Sequence, residues 1–233
     1  MKAFLSVIFS FAVLLCAHPQ KSHAKTGVCH GAFSGSTSFL IAVPKIDGKP
    51  IKPAYHPLLK VLATSSAFRT LFSRCVASQI TNHKKLQRGF TFTFIEHNGT
   101  ILVDLILPPK DSEQSGTIDI TDSYDEKSEF YKKLLQFKKR EKLSASDSIR
   151  YRSANDLPND KIAKIVSPIG PYLSIYDFLR DASSEELESF WVKVYEISKE
   201  IRAKGKSYRL ISHAGSRAGQ SVSHFQMQFE VID

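Results

Sequence analysis

The sequence lacks most of the features that mark a metal, redox or nucleic-acid-binding protein. Its 233 residues hold three cysteines and one tryptophan, and no spacing of cysteines and histidines matches a zinc site. The acidic residues between Asp119 and Glu126 lack the ligand pattern of a calcium loop, so we expect a solvated segment there. No stripe of arginine and aromatic side chains marks a nucleic-acid surface. These absences predict no metal site, no cofactor and no nucleic-acid partner.

Long apolar runs are also missing, apart from one at the start of the chain. Residues 3–17 are almost all apolar, follow Lys2, and precede the small-residue sequence Ser-His-Ala at 22–24. This order is typical of a cleaved secretory signal peptide over residues 1–24, and the run is too short for a stable membrane span. Cys16 leaves a retained lipid anchor as the alternative. We therefore expect a secreted or periplasmic protein.

After cleavage, Cys29 and Cys75 are the cysteines that remain. An exported protein can form a disulfide between them, and that bond would restrain the new N-terminus. Two unpaired thiols, with Cys75 on the apolar face of a helix, are the alternative. The sequence alone leaves both arrangements open.

Acidic side chains are fewer than basic ones, and the formal net charge at pH 7 is +9. The charge stays positive without the leader, which holds Lys2 and Lys21 and no acidic residue. A basic surface attracts anionic ligands. The densest basic run, residues 132–142, falls on a predicted helix. We interpret it as a solvated helix face, with contact to anionic lipid as the alternative.

Two segments of the chain share one helical pattern of apolar residues. They span residues 66–80 and 183–205, and their apolar side chains recur at three- and four-residue intervals. Ser183 and Glu186 form a capping-box start for the second helix, and Gly205 suits its end. The positions that coincide at a constant offset are Phe68, Leu71, Phe72, Cys75 and Val76 with Leu187, Phe190, Trp191, Val194 and Tyr195.

The flanks of the two helices are also similar. An apolar strand precedes each helix, at residues 39–44 and 162–168, and a basic loop with a second strand follows, at 90–95 and 208–212. In the first half, alternating apolar residues on both sides of Asn98-Gly99 predict a hairpin with a two-residue turn. Chance similarity of two amphipathic units is the alternative to duplication.

These patterns predict an α+β protein in which helices pack on antiparallel sheet and the chain has two related halves. The first half would be residues 25–107 and the second residues 129–233. Between them, residues 108–128 are polar, begin with two prolines and form the predicted linker.

The last predicted strand, over residues 219–229, has one polar and one apolar face. Because side chains alternate along a strand, His224, Gln226 and Gln228 would share one face, opposite Phe225 and Met227. The polar face is a ligand surface or, alternatively, a solvated one. A loop of small residues precedes the strand, which begins with the sequence Gly-Gln-Ser-Val at 219–222.

Loop and strand together resemble the signature of the histidine-triad (HIT) superfamily, whose members bind and usually cleave nucleoside phosphates. That signature is a small-residue loop, then Gly-Gln-Ser/Thr-Val, then His-x-His-x-His, and the chain matches it at 219–222 and at His224. Gln228 has a precedent in the galactose-1-phosphate uridylyltransferase and dinucleoside-polyphosphate phosphorylase branches. Gln226 is the serious departure, because it stands where the family keeps its histidine nucleophile. Those branches also carry two such folds in one chain, with the signature in one copy.

The resemblance implies a phosphate site in the second half. A carboxamide cannot replace imidazole as the nucleophile, because its nitrogen lone pair is delocalised into the carbonyl. The catalytic residue is therefore unknown, and we expect binding of a nucleotide or another phosphorylated small molecule without the usual catalysis. The predicted ligand-binding residues are His213, Arg217, Gly219, Gln220, Ser221, Val222, His224, Gln226 and Gln228.

Two other functions stay open. The chain is alternatively a divergent phosphotransferase or pyrophosphatase with reassigned residues, for which His213 is a candidate nucleophile, or a protein-interaction module. The oligomeric state is open as well. A single HIT-like unit usually forms a homodimer, whereas a duplicated one satisfies the same interface within a monomer.

Overall fold

Eight antiparallel strands form one sheet in the structure, a computed structural model that describes residues 29–43, 55–98, 100–109, 118–152 and 164–232. The strands are β1 (Gly31–Ser34), β2 (Ser38–Ala42), β3 (Phe90–His97), β4 (Thr100–Ile106), β5 (Ser148–Arg152), β6 (Lys164–Pro168), β7 (Ser207–Ala214) and β8 (Met227–Ile232). Their order across the sheet is β1-β2-β4-β3-β7-β8-β6-β5. The predicted signal peptide and residues 110–117 of the predicted linker lie outside the described residues.

Helices cover both faces of this sheet unequally. The described helices are α1 (Tyr55–Thr64), α2 (Ser66–Asn82), α3 (Glu129–Glu141), α4 (Ile175–Asp181) and α5 (Ser184–Ala203). Four of them, α1, α2, α4 and α5, enclose the main core with one face of the sheet. Helix α3 lies on the opposite face, where Leu134 packs with Ile149 of β5 and with Ile169. This architecture confirms the predicted α+β class. Within the described residues, no helix combines the length and apolarity needed to span a membrane.

The two helices predicted from apolar periodicity are confirmed as α2 and α5. Ser183 accepts from the amide of Glu186, whose side chain accepts in return from the amide of Ser183, so the predicted capping box is present. Gly205 follows α5 with φ +69°, a left-handed conformation that glycine adopts without steric cost. The basic run at 132–142 lies mostly on α3, as predicted.

The hairpin predicted around Asn98-Gly99 is also confirmed. Strand β3 ends at His97 and β4 begins at Thr100, and Asn98 takes a left-handed φ of 51°. Two-residue hairpin turns require such dihedral angles, which asparagine tolerates well. The alternating phenylalanines Phe90, Phe92 and Phe94 of β3 are completely buried in the main core.

The topology has an internal repeat. In each half, two strands precede a pair of helices and two more strands follow it, with α3 as an addition before β5. The strand order is also symmetric. From one edge the strands follow the order β1, β2, β4, β3, and from the other edge the order β5, β6, β8, β7. The two units meet where β3 pairs with β7, in antiparallel register from Phe90↔Ala214 to Thr93↔Ile211. Duplication itself stays a prediction, which this arrangement supports.

The start of the last strand was predicted wrongly. Strand β8 begins at Met227, whereas the sequence pattern predicts a strand from residue 219. The Gln220 side chain accepts from the amide of Gly215 and donates to the carbonyl oxygens of Leu173 and Val222. These bonds fold residues 215–222 into a compact loop instead of an extended strand.

Arg69 joins three helices through a buried guanidinium group. Its side chain is 3% exposed and pairs with the carboxylate of Glu188 on α5. It also donates to the carbonyl oxygens of Leu62 and Ala63 at 3.1 and 3.0 Å. These carbonyls belong to the last turn of α1, where helical partners are lacking.

Replacing Arg69 by methionine should lower the free energy of unfolding by about 2–4 kcal/mol, because two buried carbonyl groups lose their donor. Glu188→Gln is the matched control, because its side chain is 58% exposed and glutamine keeps an oxygen that can accept from Arg69, so it should cost less than the Arg69 variant. Equilibrium denaturation in urea measures both values. Equal losses in the two variants would contradict the importance of the carbonyl contacts.

Candidate functional site

A small cleft opens beside the first residues of β8 and the end of β7. The residues that line it are His213, Gly219, Gln220, Ser221, Val222, His224, Gln226 and Gln228. The structure thus brings together the predicted ligand-binding residues with the exception of Arg217, which is exposed on the short turn Ser216–Ala218. The enclosed volume is about 20 Å³, comparable to the space of one water molecule. A larger ligand would have to lie at the mouth of the cleft.

Backbone conformation shapes this mouth. Gly215 and Gly219 have φ angles of 82° and 94°, which side chains with a Cβ rarely adopt. The amides of Gly219 and Gln220 donate within the turn, to the carbonyl oxygens of Ser216 and Gly215. Among the described residues, the amides of Ser221 and Val222 have no such partner. These two amides could therefore donate to an anion.

Gln220 supports the loop and does not face a ligand. It is 8% exposed, and its amide oxygen and nitrogen make the three backbone hydrogen bonds described above, at 2.7 to 2.8 Å. By contrast, Ser221 is exposed at the mouth, and its hydroxyl has no hydrogen-bond partner within the described part of the chain. Ser221 is thus the available hydroxyl donor of the motif.

His224 is buried and fully engaged, so it is not arranged as a ligand contact. Its Nε2 lies 2.9 Å from the carbonyl oxygen of Pro168, which can only accept, so Nε2 carries the proton. Its Nδ1 must then accept from the hydroxyl of Tyr124 at 2.6 Å. The ring also packs beside Phe130 and Tyr131 of α3. His224 therefore connects α3 and the segment before it to the sheet.

Electrostatics agree with this structural role. Burial lowers the pKa of His224 to about 4, with the Pro168 carbonyl acting in the opposite direction. Burial is also the main reason why the pKa of Tyr124 is raised. Both groups are therefore neutral at pH 7, and their hydrogen bond joins two uncharged side chains.

His213 lies at the edge of the cleft, on the open face of the sheet, which is the face opposite the main core. It pairs with Thr91 across β3 and β7, and its Nδ1 is 3.0 Å from the Thr91 hydroxyl. Extending the β7–β8 register by two pairs places it opposite Gln226. Burial lowers its pKa, although Glu230 and the Ala218 carbonyl raise it. The neutral imidazole of His213 thus lies on the strand next to Gln226, where the HIT family keeps its histidine nucleophile.

Gln226 and Gln228 are half-buried on the same face as His213. Their neighbours Phe225, Met227 and Phe229 point into the main core, so the alternation predicted from the sequence holds over this stretch. Each glutamine carries an amide group that can donate to an anion. Neither can act as a nucleophile.

Sequence reasoning missed Thr91 and Tyr124. Thr91 belongs to the first half and holds His213, while Tyr124 lies in the predicted linker and holds His224. No local pattern distinguishes either residue, because each contact joins segments about 100 or more positions apart.

The two remaining cysteines form a disulfide in the structure. Cys29, just before β1, is bonded to Cys75 of α2, with their Cα atoms 5.4 Å apart. The bond joins the first described residues to the main core, in which Cys75 is buried.

The chain is similar to a protein of the class that this site indicates. It is 36% identical over 68 residues to an uncharacterized HIT-like protein of Rickettsia prowazekii (strain Madrid E). The match covers 29% of this chain and 55% of the relative, so it spans about half the length of that protein. No protein-family model matches the chain, and no solved structure matches it. The similarity confirms the predicted resemblance to the HIT-like superfamily, while the altered motif and the duplication stay predictions.

The titration of His224 predicts a pH-dependent stability. An unfolded histidine has a pKa near 6.5, whereas the folded value is about 4, so between these pH values the unfolded chain binds more protons. The free energy of unfolding should therefore fall by roughly 3 kcal/mol as the pH drops from about 6.5 to 4. Urea titrations across this range measure the slope. His224→Gln, which removes the titrating group, should flatten it, and an unchanged slope would assign the effect to other residues.

Proposed function

We propose that this chain is a secreted or periplasmic HIT-like protein that binds a nucleotide or another phosphorylated small molecule, without catalysis by a histidine nucleophile at position 226. The observation that carries the proposal is the cleft, which is lined by the motif residues with Gln226 among them. The similarity to an uncharacterized HIT-like protein supports the HIT-like part of the proposal.

The donors at the mouth of the cleft suit an anionic group. The amides of Ser221 and Val222, the Ser221 hydroxyl, and the side-chain amides of Gln226 and Gln228 can all donate to phosphate oxygens. None of them needs to change protonation at neutral pH. The rest of the ligand would extend from the mouth, since the enclosed volume is about 20 Å³.

Export and duplication complete the proposal. The bond between Cys29 and Cys75 supports an oxidising compartment, because structural disulfides are rare in most cytosolic proteins. The repeated strand order supports a duplicated unit. In that case the β3–β7 pairing provides within a monomer the contact that two single units would make in a homodimer.

Ser221→Ala should weaken binding of a phosphorylated ligand by about 10- to 100-fold, because the variant loses a hydrogen bond to a charged group. Isothermal titration calorimetry of the chain from Lys25 to Asp233, with a panel of nucleotides and nucleotide sugars, measures this change. Ser223→Ala is the matched control, since Ser223 does not line the cleft, and should bind as the wild type does. Binding unaffected by Ser221→Ala would contradict the proposed phosphate position.

His213 favours a second candidate, a divergent phosphotransferase or pyrophosphatase. The Thr91 hydroxyl donates to the Ala218 carbonyl, so Nδ1 of His213 would carry a proton and Nε2 the lone pair. In this reaction Nε2 would form a bond to phosphorus while the bond from phosphorus to the leaving oxygen breaks. Water would then hydrolyse the phosphoramidate and release the neutral imidazole.

Turnover measured by mass spectrometry separates the two candidates. Under our proposal the wild type forms no product, and Gln226→His should gain hydrolysis because it restores an imidazole at the nucleophile position. Gln228→His is the matched control on the same face, two residues further along, and should stay inactive. Turnover by the wild type that His213→Ala abolishes would contradict the proposal and favour the second candidate.

A further inference from the structure

A second cavity lies away from the cleft, at the opposite end of β7. Its volume is about 490 Å³, within the range of small-molecule sites. The described residues that line it come from the start of α1, the β3–β4 hairpin, and the end of α5 with the start of β7. They are His56, Glu96, Ile101, Arg202, Gly205, Lys206, Ser207 and Tyr208. The cavity is thus framed by elements of both halves of the chain.

Basic side chains surround this cavity, and apolar side chains form its base. Arg202 and Lys206 are cationic and exposed, and Glu96 is the acidic side chain among the described lining residues. Lys60 and Lys199 add positive charge beside His56. Ile101 and Tyr208, both buried in the main core, contribute the floor. A group with negative charge would be attracted here, and its apolar part would contact Ile101 and Tyr208.

The orientation of His56 is set by Ser198 of α5. The Ser198 hydroxyl donates to the carbonyl oxygen of Tyr195 at 2.7 Å, so it can only accept from His56. Nδ1 of His56, at 3.3 Å, is therefore the donor, and Nε2 is left without a proton in the neutral ring. Burial lowers the pKa of His56, and the nearby cations Arg202, Lys199 and Lys60 lower it further.

Arg202 is the group best placed to recognise an anion. Within the described residues its guanidinium has no hydrogen bond or ion pair, whereas Arg150 and Arg209 are each paired with a glutamate. A guanidinium donates two parallel hydrogen bonds to a phosphate or carboxylate.

We propose that this cavity is a second binding site, for a small organic anion whose phosphate or carboxylate group contacts Arg202 and His56 and whose apolar part lies on Ile101 and Tyr208. The site is distinct from the cleft, because Ser207 and His213 are six residues apart along the extended strand β7, roughly 20 Å. It does not depend on the proposed function of the cleft.

Phenyl phosphate and benzoate are the probes, and they distinguish the two kinds of anionic group. Titration of the purified chain, followed by NMR of the histidine rings and by calorimetry, should show binding of at least one probe. The His56 ring signals should shift and its pKa should rise, because a bound anion stabilises the imidazolium. Arg202→Gln should weaken binding by about tenfold or more, as expected for the loss of a hydrogen bond between charged groups.

Arg140→Gln is the charge-matched control, since Arg140 lies on α3 and pairs with Glu141. It should bind as the wild type does. Thermal melts show whether Arg202→Gln stays folded, which its exposed position predicts. The proposal is overturned if neither probe binds, if Arg140→Gln weakens binding as much as Arg202→Gln does, or if the bound probe leaves the His56 signals unchanged.

Discussion

The pairing of β3 with β7 is the contact on which the rest of the structure depends. It joins two four-stranded units into one sheet, through register pairs from Phe90↔Ala214 to Thr93↔Ile211. Separate units would each expose a strand edge with unpaired backbone groups, a template for aggregation. The pairing also continues the main core across both halves, because Phe90 of β3 pairs with Ala214 of β7 and both are buried in that core. It places the Thr91 hydroxyl against His213, so a residue of the first half supports the site of the second.

Local patterns were sufficient to predict the elements that face this core. Helices α2 and α5 and the β3–β4 hairpin follow from apolar spacing, caps and one turn sequence, all of which act over a few residues. The start of β8 could not be predicted in this way. The Gln220 side chain reaches Leu173, 47 residues earlier in the sequence, and this distant bond competes with the extended conformation that the alternating residues favour.

The candidate site was likewise predictable only in part. Its membership was predictable, since the motif residues are close in sequence and His213 is at the end of the preceding strand. The roles of individual residues were not. His224 looks like a member of a polar face, yet its ring is enclosed by α3 and by Tyr124, which lies 100 positions earlier in the chain. Burial between such partners turns a motif histidine into a neutral structural group.

The different connections of the two halves explain why the two cavities differ. In the first half β3 passes to β4 through residues 98 and 99, whereas in the second half β7 passes to β8 through residues 215–226. The long connection folds over the open face of the sheet and supplies Ser221 and its neighbouring amides, so it forms a narrow cleft. Within the described residues, the short turn does not cover its end of the sheet. There the start of α1 and the end of α5 become the walls, and the basic side chains of those helices determine the charge of the larger cavity. Two units with the same strand order but connections of unequal length thereby border two cavities that differ in size and chemistry.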